Sequence, residues 1–261
     1  MLKHPIAVAT RCFGQPIKQS IDTAMITGAS GIQLDARNEL KPSSLTETGR
    51  RQFLHELDER DLKISSLHFA TRRAFYDLDQ LDARTAATCA AMEFAFQMKA
   101  TVLTIRLGRI PDEESIEYST LCQVLDDLAR HSNRVGTTLA ITPTNDSPES
   151  LSRLLTKVDS GPLGINFDPA SFVMSSIDAA AAFRELYKWI LHFTVRDGLK
   201  DIDGSGFEVA VGRGDVNWEE CIALLEEADY RGWLTVERNQ GDNKPLEMAN
   251  AIQYLNNVAM G

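Results

Sequence analysis

The sequence predicts an α/β protein that folds as a single (β/α)8 barrel over residues 1–261. Short apolar segments with the two-residue period of strands alternate along the chain with segments that carry helix signals, and eight such pairs occur. The length of 261 residues also matches the roughly 250 residues typical of this barrel. An open doubly wound sheet is the alternative, but the first strand leads into Cys12-Phe13-Gly14-Gln15-Pro16, which lacks the GxGxxG spacing of a phosphate loop. A closed barrel is therefore favoured.

The predicted strands are short runs bounded by turn residues. They cover residues 6–11, 31–35, 62–68, 101–107, 138–142, 163–168, 190–196 and 233–237. In the sixth strand, Leu163, Ile165 and Phe167 share one face by the two-residue period. Asp168 precedes Pro169, which has no N–H to donate and disfavours a helical conformation at the residue before it. The strand therefore ends with an acid at its carboxyl end.

The predicted helices follow the strands, and several begin at a recognisable cap. They cover residues 16–26, 44–60, 81–98, 115–134, a short segment from 148, 177–187, 218–228 and 246–258. Ser44 and Glu47 have the spacing of a capping box. Ser147 and Asn217 are predicted N-caps, and Gly28 is predicted to end the first helix.

The composition excludes several classes of partner. The net charge of −10 repels phosphate backbones and anionic membranes, so we expect neither nucleic-acid nor membrane binding. No apolar run reaches the roughly 20 residues of a membrane span, and the segment Met1–Pro5 lacks the apolar core of a signal peptide. The cysteines at positions 12, 89, 122 and 221 form no CxxC pair. These features predict free thiols and a cytoplasmic protein.

Strand parity predicts where the functional site lies. The bulky aliphatic residues of each strand share one parity and should face the helices, so the other parity faces the barrel interior. In the third strand Ser65 and Ser66 blur this period, and the set Ile64, Ser66 and His68 is predicted to face inward. The last inward positions and their neighbours form a polar ring of Arg11, Asp35, Arg37, His68, Arg106, Asp168, Arg196, Glu237 and Arg238. Active sites of such barrels lie at the carboxyl ends of the strands, so this ring is the candidate site.

The ring mixes both signs of charge, which suits a small hydroxylated or anionic ligand. Arginine forks bind carboxylate or phosphate, and carboxylates accept hydrogen bonds from hydroxyl groups or move protons. The alternative is that these charges pair with one another at a solvated rim. His192 lies deeper on its strand, and we expect it to be a hydrogen-bonded interior residue.

Four segments carry a resemblance to a known family. The chain resembles the sugar phosphate isomerase/epimerase family with the xylose isomerase-like barrel, which is also related to barrels of the abasic-site endonuclease type. The segments are GIQLD at 31–35, NFDPA at 166–170, GRGDVNW at 212–218 and GWLTVER at 232–238. The last two are the most specific, and the resemblance covers essentially the whole chain.

The resemblance implies one divalent metal held by residues of four strands. The family places a glutamate at the end of the fifth strand, an aspartate at the end of the sixth, a histidine on the seventh and a glutamate at the end of the eighth. Asp168 and Glu237 match the sixth and eighth positions, but Thr142 and Thr194 replace the other two ligands. Because two carboxylates hold magnesium or manganese poorly without further oxygen ligands, we expect the metal to be weakly bound or absent.

The resemblance also implies an isomerase or epimerase that acts on a small sugar, sugar phosphate or sugar acid through an enediolate. Glu237 is the expected base, with His68 or Asp35 as second proton carrier and Arg106 or Arg196 stabilising the oxyanion. Further substrate contacts are expected from Arg11, Arg37, Thr142, Asn166, Thr194 and Arg238. The alternative is a non-catalytic sugar or sugar-acid binding protein that has lost the metal site. An endonuclease needs several zinc-binding histidines and a basic surface, which the sequence lacks. Relatives often form dimers or tetramers, so a homo-oligomer is a further expectation.

Overall fold

The computed structural model describes residues 2–201 and 206–260. Eight parallel strands close into a barrel, which confirms the predicted fold. The barrel strands are β1 (Ile6–Ala9), β2 (Gly31–Asp35), β3 (Lys63–His68), β4 (Val102–Ile105), β5 (Thr138–Ile141), β6 (Leu163–Phe167), β7 (Ile190–Val195) and β10 (Leu234–Val236). Each barrel strand pairs with the next barrel strand along the chain, so that β7 pairs with β10. The parallel pairing of β1 with β10 closes the ring.

Helices connect the strands and surround them. They are α1 (Ile17–Ile26), α2 (Glu47–Asp58), α3 (Leu81–Gln97), α4 (Ile116–Val135), α5 (Pro148–Lys157), α6 (Pro169–Met174), α7 (Ala179–Leu186), α8 (Trp218–Glu227) and α9 (Lys244–Val258). Ser147 and Asn217 cap α5 and α8 as predicted. The prediction for α2 is wrong in one detail, because Thr46 is the N-cap and accepts the Gly49 N–H at 3.1 Å. Ser44 instead lies in a 3-10 turn, Pro42–Ser44.

The core lies between the outer face of the barrel and the helices. Aliphatic side chains of the outward parity are fully buried, such as Leu34 and Leu103. Phe167 of β6 contacts the rings of Phe172, Phe183 and Phe193 at centroid distances of 5.1, 5.4 and 5.5 Å. Burying each such side chain contributes about 1.5–3 kcal/mol to the stability of the folded state. The outward-facing residues therefore hold the strands in place, and the inward-facing residues are free to form a polar site.

A register shift in β3 explains the blurred period of this strand. Ile64 aligns with Ile32, and Gln33 then aligns with Ser66, so Ser65 is an extra residue. Such a bulge places two consecutive residues opposite one partner. The Ser65 hydroxyl lies 3.4 Å from the Thr235 hydroxyl. The predicted inward set is therefore wrong for Ile64, which shares its register position with outward-facing Ile32, and correct for Ser66.

A hairpin that the sequence did not predict follows β7. Its strands are β8 (Asp197–Leu199) and β9 (Phe207–Val209), which pair antiparallel. The buried carboxylate of Asp197 accepts the N–H groups of Gly198 (2.9 Å), Gly212 (2.9 Å) and Val216 (3.2 Å), and the indole N–H of Trp218 (3.1 Å). One acid therefore fixes the segment between the hairpin and α8 against the barrel.

The state of the thiols and the positions of three cysteines agree with the predictions from the sequence. All four cysteines are free, and Cys89, Cys122 and Cys221 lie in α3, α4 and α8 as predicted. In the part of the chain that is described, no helix is both long and apolar enough to cross a membrane.

Candidate active site at the barrel mouth

A small polar cavity, here called the cup, lies at the carboxyl ends of the barrel strands. It is lined by Arg11, His68, Arg106, Thr142, Asn166, Asp168, Thr194 and Glu237. The free volume between these side chains is about 10 Å³, which is close to the minimum needed for one water molecule. Eight residues that are distant in sequence therefore meet at the end of the barrel where strand parity predicted the site.

Glu237 is an ionised carboxylate that forms a buried ion pair with Arg11. The two side chains are 9% and 19% exposed, and Arg11 also donates to the side-chain oxygen of Gln33. Burial alone would raise the pKa of Glu237, but the guanidinium groups of Arg11 and Arg196 outweigh it and lower this pKa to about 2. Glu237 therefore carries its negative charge at neutral pH.

His68 is a neutral imidazole with one nitrogen available to the cup. Its Nδ1 lies 3.1 Å from the hydroxyl oxygen of Thr104, and that hydroxyl donates to the Leu67 carbonyl at 3.4 Å. The Thr104 hydroxyl can therefore accept from or donate to Nδ1, and in either case Nε2 is the nitrogen left for a partner in the cup. Burial, followed by the charge of Arg11, lowers the pKa of His68 to about 3. His68 is thus uncharged at neutral pH.

Asp168 has two structural partners. Its carboxylate caps α6 by accepting the Ser171 hydroxyl at 2.7 Å and the Ser171 N–H at 3.4 Å. It also pairs with Arg196, whose Nη2 lies 3.1 Å away. Arg196 is only 8% exposed, and among the described residues its buried Nε–H has no acceptor. Asp168 therefore reaches the cup with its charge already balanced by a guanidinium.

A neutral hydrogen-bond network occupies the remaining wall. Asn166 donates to the Thr142 hydroxyl at 2.9 Å, and its oxygen accepts from the Thr194 hydroxyl at 2.9 Å and from His192 Nδ1 at 2.8 Å. His192 Nε2 lies 2.9 Å from the Thr235 hydroxyl. Burial lowers the pKa of His192 to about 4. His192 is therefore a neutral interior residue, as expected from its depth on the strand.

The four positions of the family's metal ligands do not fit a divalent metal in this chain. Thr142 and Thr194 are both bound to Asn166, while Asp168 and Glu237 each face an arginine. A guanidinium within 3.1 Å of a carboxylate repels a divalent cation from the position that the family's metal needs. Within residues 2–201 and 206–260, no group of three or more His, Cys, Asp or Glu side chains converges in a way that holds a metal.

Four of the predicted site residues do not line the cup, and one of them, Arg196, contacts it through its ion pair with Asp168. Asp35 accepts the backbone N–H groups of Arg37 and Asn38 at 2.8 and 3.0 Å, so it holds the loop after β2. Arg37 donates to the Ala70 carbonyl at 2.7 Å and lies 5.9 Å from the ring centre of Phe69. Arg238 pairs with Glu247 and with Glu208, the latter at 3.0 Å. Asp35, Arg37 and Arg238 lie at the same end of the barrel as the cup, but they neither line the cup nor form ion pairs with the residues that do.

Glu208 is a rim residue that the sequence did not indicate. It lies on β9, is 9% exposed, and pairs with Arg196 at 3.6 Å and Arg238 at 3.0 Å. It also accepts the Asn239 N–H at 2.8 Å. The only signal was the apolar-acid-apolar run Phe207-Glu208-Val209, which is too short to indicate a strand by period. Glu208 thus links the hairpin to the arginines at the barrel mouth.

Comparisons with known proteins agree with this fold. The chain is 24% identical over 279 aligned positions to an inosose dehydratase of Lacticaseibacillus casei, which covers 91% of this chain and 88% of that protein. Among solved structures, a xylose isomerase domain protein from Planctomyces limnophilus superposes with a TM-score of 0.86 at 22% identity, covering 98% of this chain and 97% of that one. A D-tagatose 3-epimerase-like protein gives 0.81 at 16% identity, with coverage of 98% and 97%. The family model described as "Xylose isomerase-like TIM barrel" matches residues 21–258. The chain therefore belongs to the xylose isomerase-like TIM barrel family.

Proposed function

We propose that this protein is a sugar isomerase that moves a proton between adjacent carbons of a small hydroxylated carbonyl substrate through an enediolate. One observation carries the proposal. The ionised carboxylate of Glu237 and the neutral imidazole of His68 line the same cup, beside Arg11 and Arg106. A carboxylate and a neutral imidazole among fixed positive charges form a set suited to removing a proton next to a carbonyl.

The two groups have separate roles in the proposed reaction. Glu237 takes the proton from carbon, and the C–H electron pair becomes the enediolate. His68 Nε2 takes the proton from the neighbouring hydroxyl and returns it to the original carbonyl oxygen. Glu237 then delivers its proton to the adjacent carbon, which completes an aldose–ketose exchange with every proton accounted for.

The arginines supply the stabilisation of negative charge. Arg106 is exposed and makes no hydrogen bond or ion pair with the described residues. Its side chain can therefore move to admit a substrate into the cup, whose free volume is only about 10 Å³, and can then bind a substrate oxygen. Arg11 already holds Glu237, and it shares its charge with the enediolate oxygen as that charge develops. Glu237 then loses part of the interaction that lowers its pKa and becomes a stronger base. This coupling provides basicity when the substrate is bound.

Isomerisation is favoured over epimerisation by the residue at the end of β5. An epimerase of this family uses carboxylates on opposite faces of the substrate, and here Thr142 stands at the second position, with its hydroxyl accepting from Asn166. A second candidate is dehydration, which the similarity to the inosose dehydratase favours. It begins with the same proton removal and differs in the loss of water that follows.

The test is hydrogen exchange at carbon, followed by NMR in D₂O. Aldoses, ketoses and inososes would be incubated with the protein after chelator treatment. We expect deuterium at the carbon next to the carbonyl, and a decrease of about 10²–10⁴-fold in Glu237→Gln. His68→Asn should impair isomerisation more than carbon exchange, because it removes only the oxygen-to-oxygen transfer. Glu47→Gln is the control, since Glu47 is exposed on α2.

Three outcomes distinguish the candidate functions. Exchange with an isomerised product supports the proposal, and exchange with loss of water identifies a dehydratase. Saturable binding of a sugar without any exchange identifies a binding protein and would overturn the proposal. Exchange that persists in Glu237→Gln would assign the base to another residue.

A further inference from the structure

A second cavity, here called the basic cleft, is formed by the loops after β2 and β3 and by the outer face of α3. Its volume is about 700 Å³, which is within the range of small-molecule sites, about 300–1,000 Å³. None of the residues that line the cleft also lines the cup. A ligand of the basic cleft can therefore bind without entering the cup.

The basic cleft carries positive charge that the chain leaves largely unpaired. Its basic side chains are Arg37, Lys41, Arg72, Arg73 and Arg84, against one acid, Asp79. Lys41 and Arg72 are exposed, and neither forms an ion pair with another described residue. Arg73 is the exception, because it pairs with Asp77 at 2.8 Å and with Asp79 at 3.0 Å. In a chain of net charge −10, this concentration of positive charge in a concave surface focuses the field on anions.

Two of these guanidinium groups are held in place by backbone carbonyls and not by acids. Arg37 donates to the Ala70 carbonyl at 2.7 Å and has no carboxylate partner in the described ranges. Arg84 donates from Nη1 to the Asp79 carbonyl at 3.0 Å, and its buried Nε–H has no acceptor among the described residues. A carbonyl orients a guanidinium without neutralising it. Both groups therefore keep their full charge for a ligand.

One wall of the basic cleft is apolar. Ala83, Ala87 and Ala90 line it and are exposed, and their spacing places them on one face of α3. Phe69 lines the same cleft, and the guanidinium carbon of Arg37 lies 5.9 Å from the centre of its ring. Methyl groups and a phenyl ring offer no hydrogen-bond donor or acceptor. This wall therefore suits a planar apolar group, next to a guanidinium of the kind that stacks on aromatic faces.

We infer that the basic cleft binds a nucleoside diphosphate, with its base against the apolar wall and its diphosphate among the basic side chains. Simpler ligands satisfy only one part of the cleft. Inorganic phosphate or a phosphorylated sugar leaves the apolar wall uncovered, and a monocarboxylate brings one charge to the unpaired Arg37, Lys41 and Arg72. A nucleoside diphosphate joins a planar ring to several negative charges in one molecule. This inference goes beyond the proposed function, because the nucleotide is an effector and not a substrate of the cup.

The experiment measures the affinities of ADP, GDP and UDP by calorimetry at fixed ionic strength, alongside adenosine, inorganic diphosphate and ribose 5-phosphate. We expect at least one nucleoside diphosphate to bind at least about tenfold more tightly than each of the three partial ligands, because only it contacts both parts of the cleft. Lys41→Gln/Arg72→Gln should weaken that nucleotide at least about tenfold. Lys18→Gln/Lys157→Gln is the matched control, since these exposed lysines of α1 and α5 form no ion pair with a described residue.

A second variant tests the apolar wall separately from the charge. Ala87→Gln places a long neutral side chain on this wall, so it should weaken the nucleoside diphosphate and leave inorganic diphosphate unchanged. Ala86→Gln is its control, because Ala86 is exposed on the same helix but does not line the cleft. Glu237→Gln should bind the nucleotide as the unaltered protein does, so a failure of the proposed catalysis leaves this inference standing.

Four outcomes would overturn the inference. The first is that no nucleoside diphosphate binds at about 1 mM. The second is that inorganic diphosphate, ribose 5-phosphate or adenosine binds as tightly as the best nucleotide, because one part of the ligand would then account for the affinity. The third is an Ala87→Gln variant with unchanged nucleotide affinity. The fourth is loss of binding in Arg106→Gln but not in Lys41→Gln/Arg72→Gln, which would place the nucleotide in the cup.

Discussion

Replacing Arg11 by methionine tests the electrostatic account of the cup. The change keeps a long unbranched side chain but leaves Glu237, which is 8% exposed, without its closest positive charge. A pKa that falls from 4.5 to about 2 on folding stabilises the folded state by about 3 kcal/mol at neutral pH. Breaking a buried ion pair by removing one partner costs about 3–5 kcal/mol. We therefore expect a loss of about 3–5 kcal/mol in the free energy of unfolding at pH 7.

The pH dependence of this loss has a definite sign. In the unaltered protein the pKa of Glu237 is lowered on folding, so its stabilisation is present above about pH 4.5 and is lost as the pH falls towards 2. Without Arg11 the burial of the carboxylate raises its pKa, although Arg196 remains near. Protonation then removes the uncompensated charge, so the deficit of Arg11→Met should shrink between pH 7 and pH 5.

Urea unfolding followed by fluorescence and circular dichroism measures this deficit. The double variant Arg11→Met/Glu237→Gln should recover much of the loss, because it removes the stranded charge as well as its partner. Arg231→Met is the control, since Arg231 pairs with Asp229 where both side chains are more than three-quarters exposed (78% and 76%). A deficit below about 1 kcal/mol at pH 7, or a double variant no more stable than Arg11→Met, would refute the reasoning.

Three further predictions concern the rim, the thiols and the metal position. Glu208→Gln should lower the free energy of unfolding by about 3 kcal/mol, because Glu208 balances Arg196 and Arg238; an unchanged urea midpoint would contradict this. In the native protein a thiol reagent should modify Cys12 and Cys221 slowest, since burial raises their pKa values to about 11 and about 12, while the denatured, unreduced protein should show all four thiols; a lower count would indicate a disulfide. Thr142→Glu/Thr194→His should increase manganese affinity in calorimetry, and adding Arg196→Gln should increase it further by removing the guanidinium 3.1 Å from Asp168; no gain in either variant would mean that the strands do not direct these positions to one point.

The predictable part of this molecule is the part governed by the period of its strands. Outward residues such as Leu103 must be apolar because they pack under helices, so the remaining parity identified Arg11, His68 and Glu237 as neighbours. The same reasoning failed at Ile64, because a bulge changes the parity within one strand. An extra residue leaves no trace in the pattern beyond the pair Ser65-Ser66.

The hydrogen-bond and ion-pair partners of the polar residues were less predictable than the end of the barrel at which these residues lie. Asp35 and Arg238 occupy the expected end of the barrel, but a carboxylate at a strand end can face the cup or hold its own loop, and Asp35 holds its loop. Glu208 comes from a three-residue strand, and its contacts depend on how a hairpin folds back over the mouth. Contacts of this kind are set by tertiary structure and not by local sequence.

The cations of the cup are parts of the polypeptide itself. Arg11 and Arg196 are always protonated at physiological pH, so the electrostatic potential of the cup is complete when the chain has folded. The positive charge that these two guanidinium groups contribute needs no loading step, because both are side chains of the folded protein. A metal ion at these positions would have to compete with Arg11 for the carboxylate of Glu237 and with Arg196 for that of Asp168.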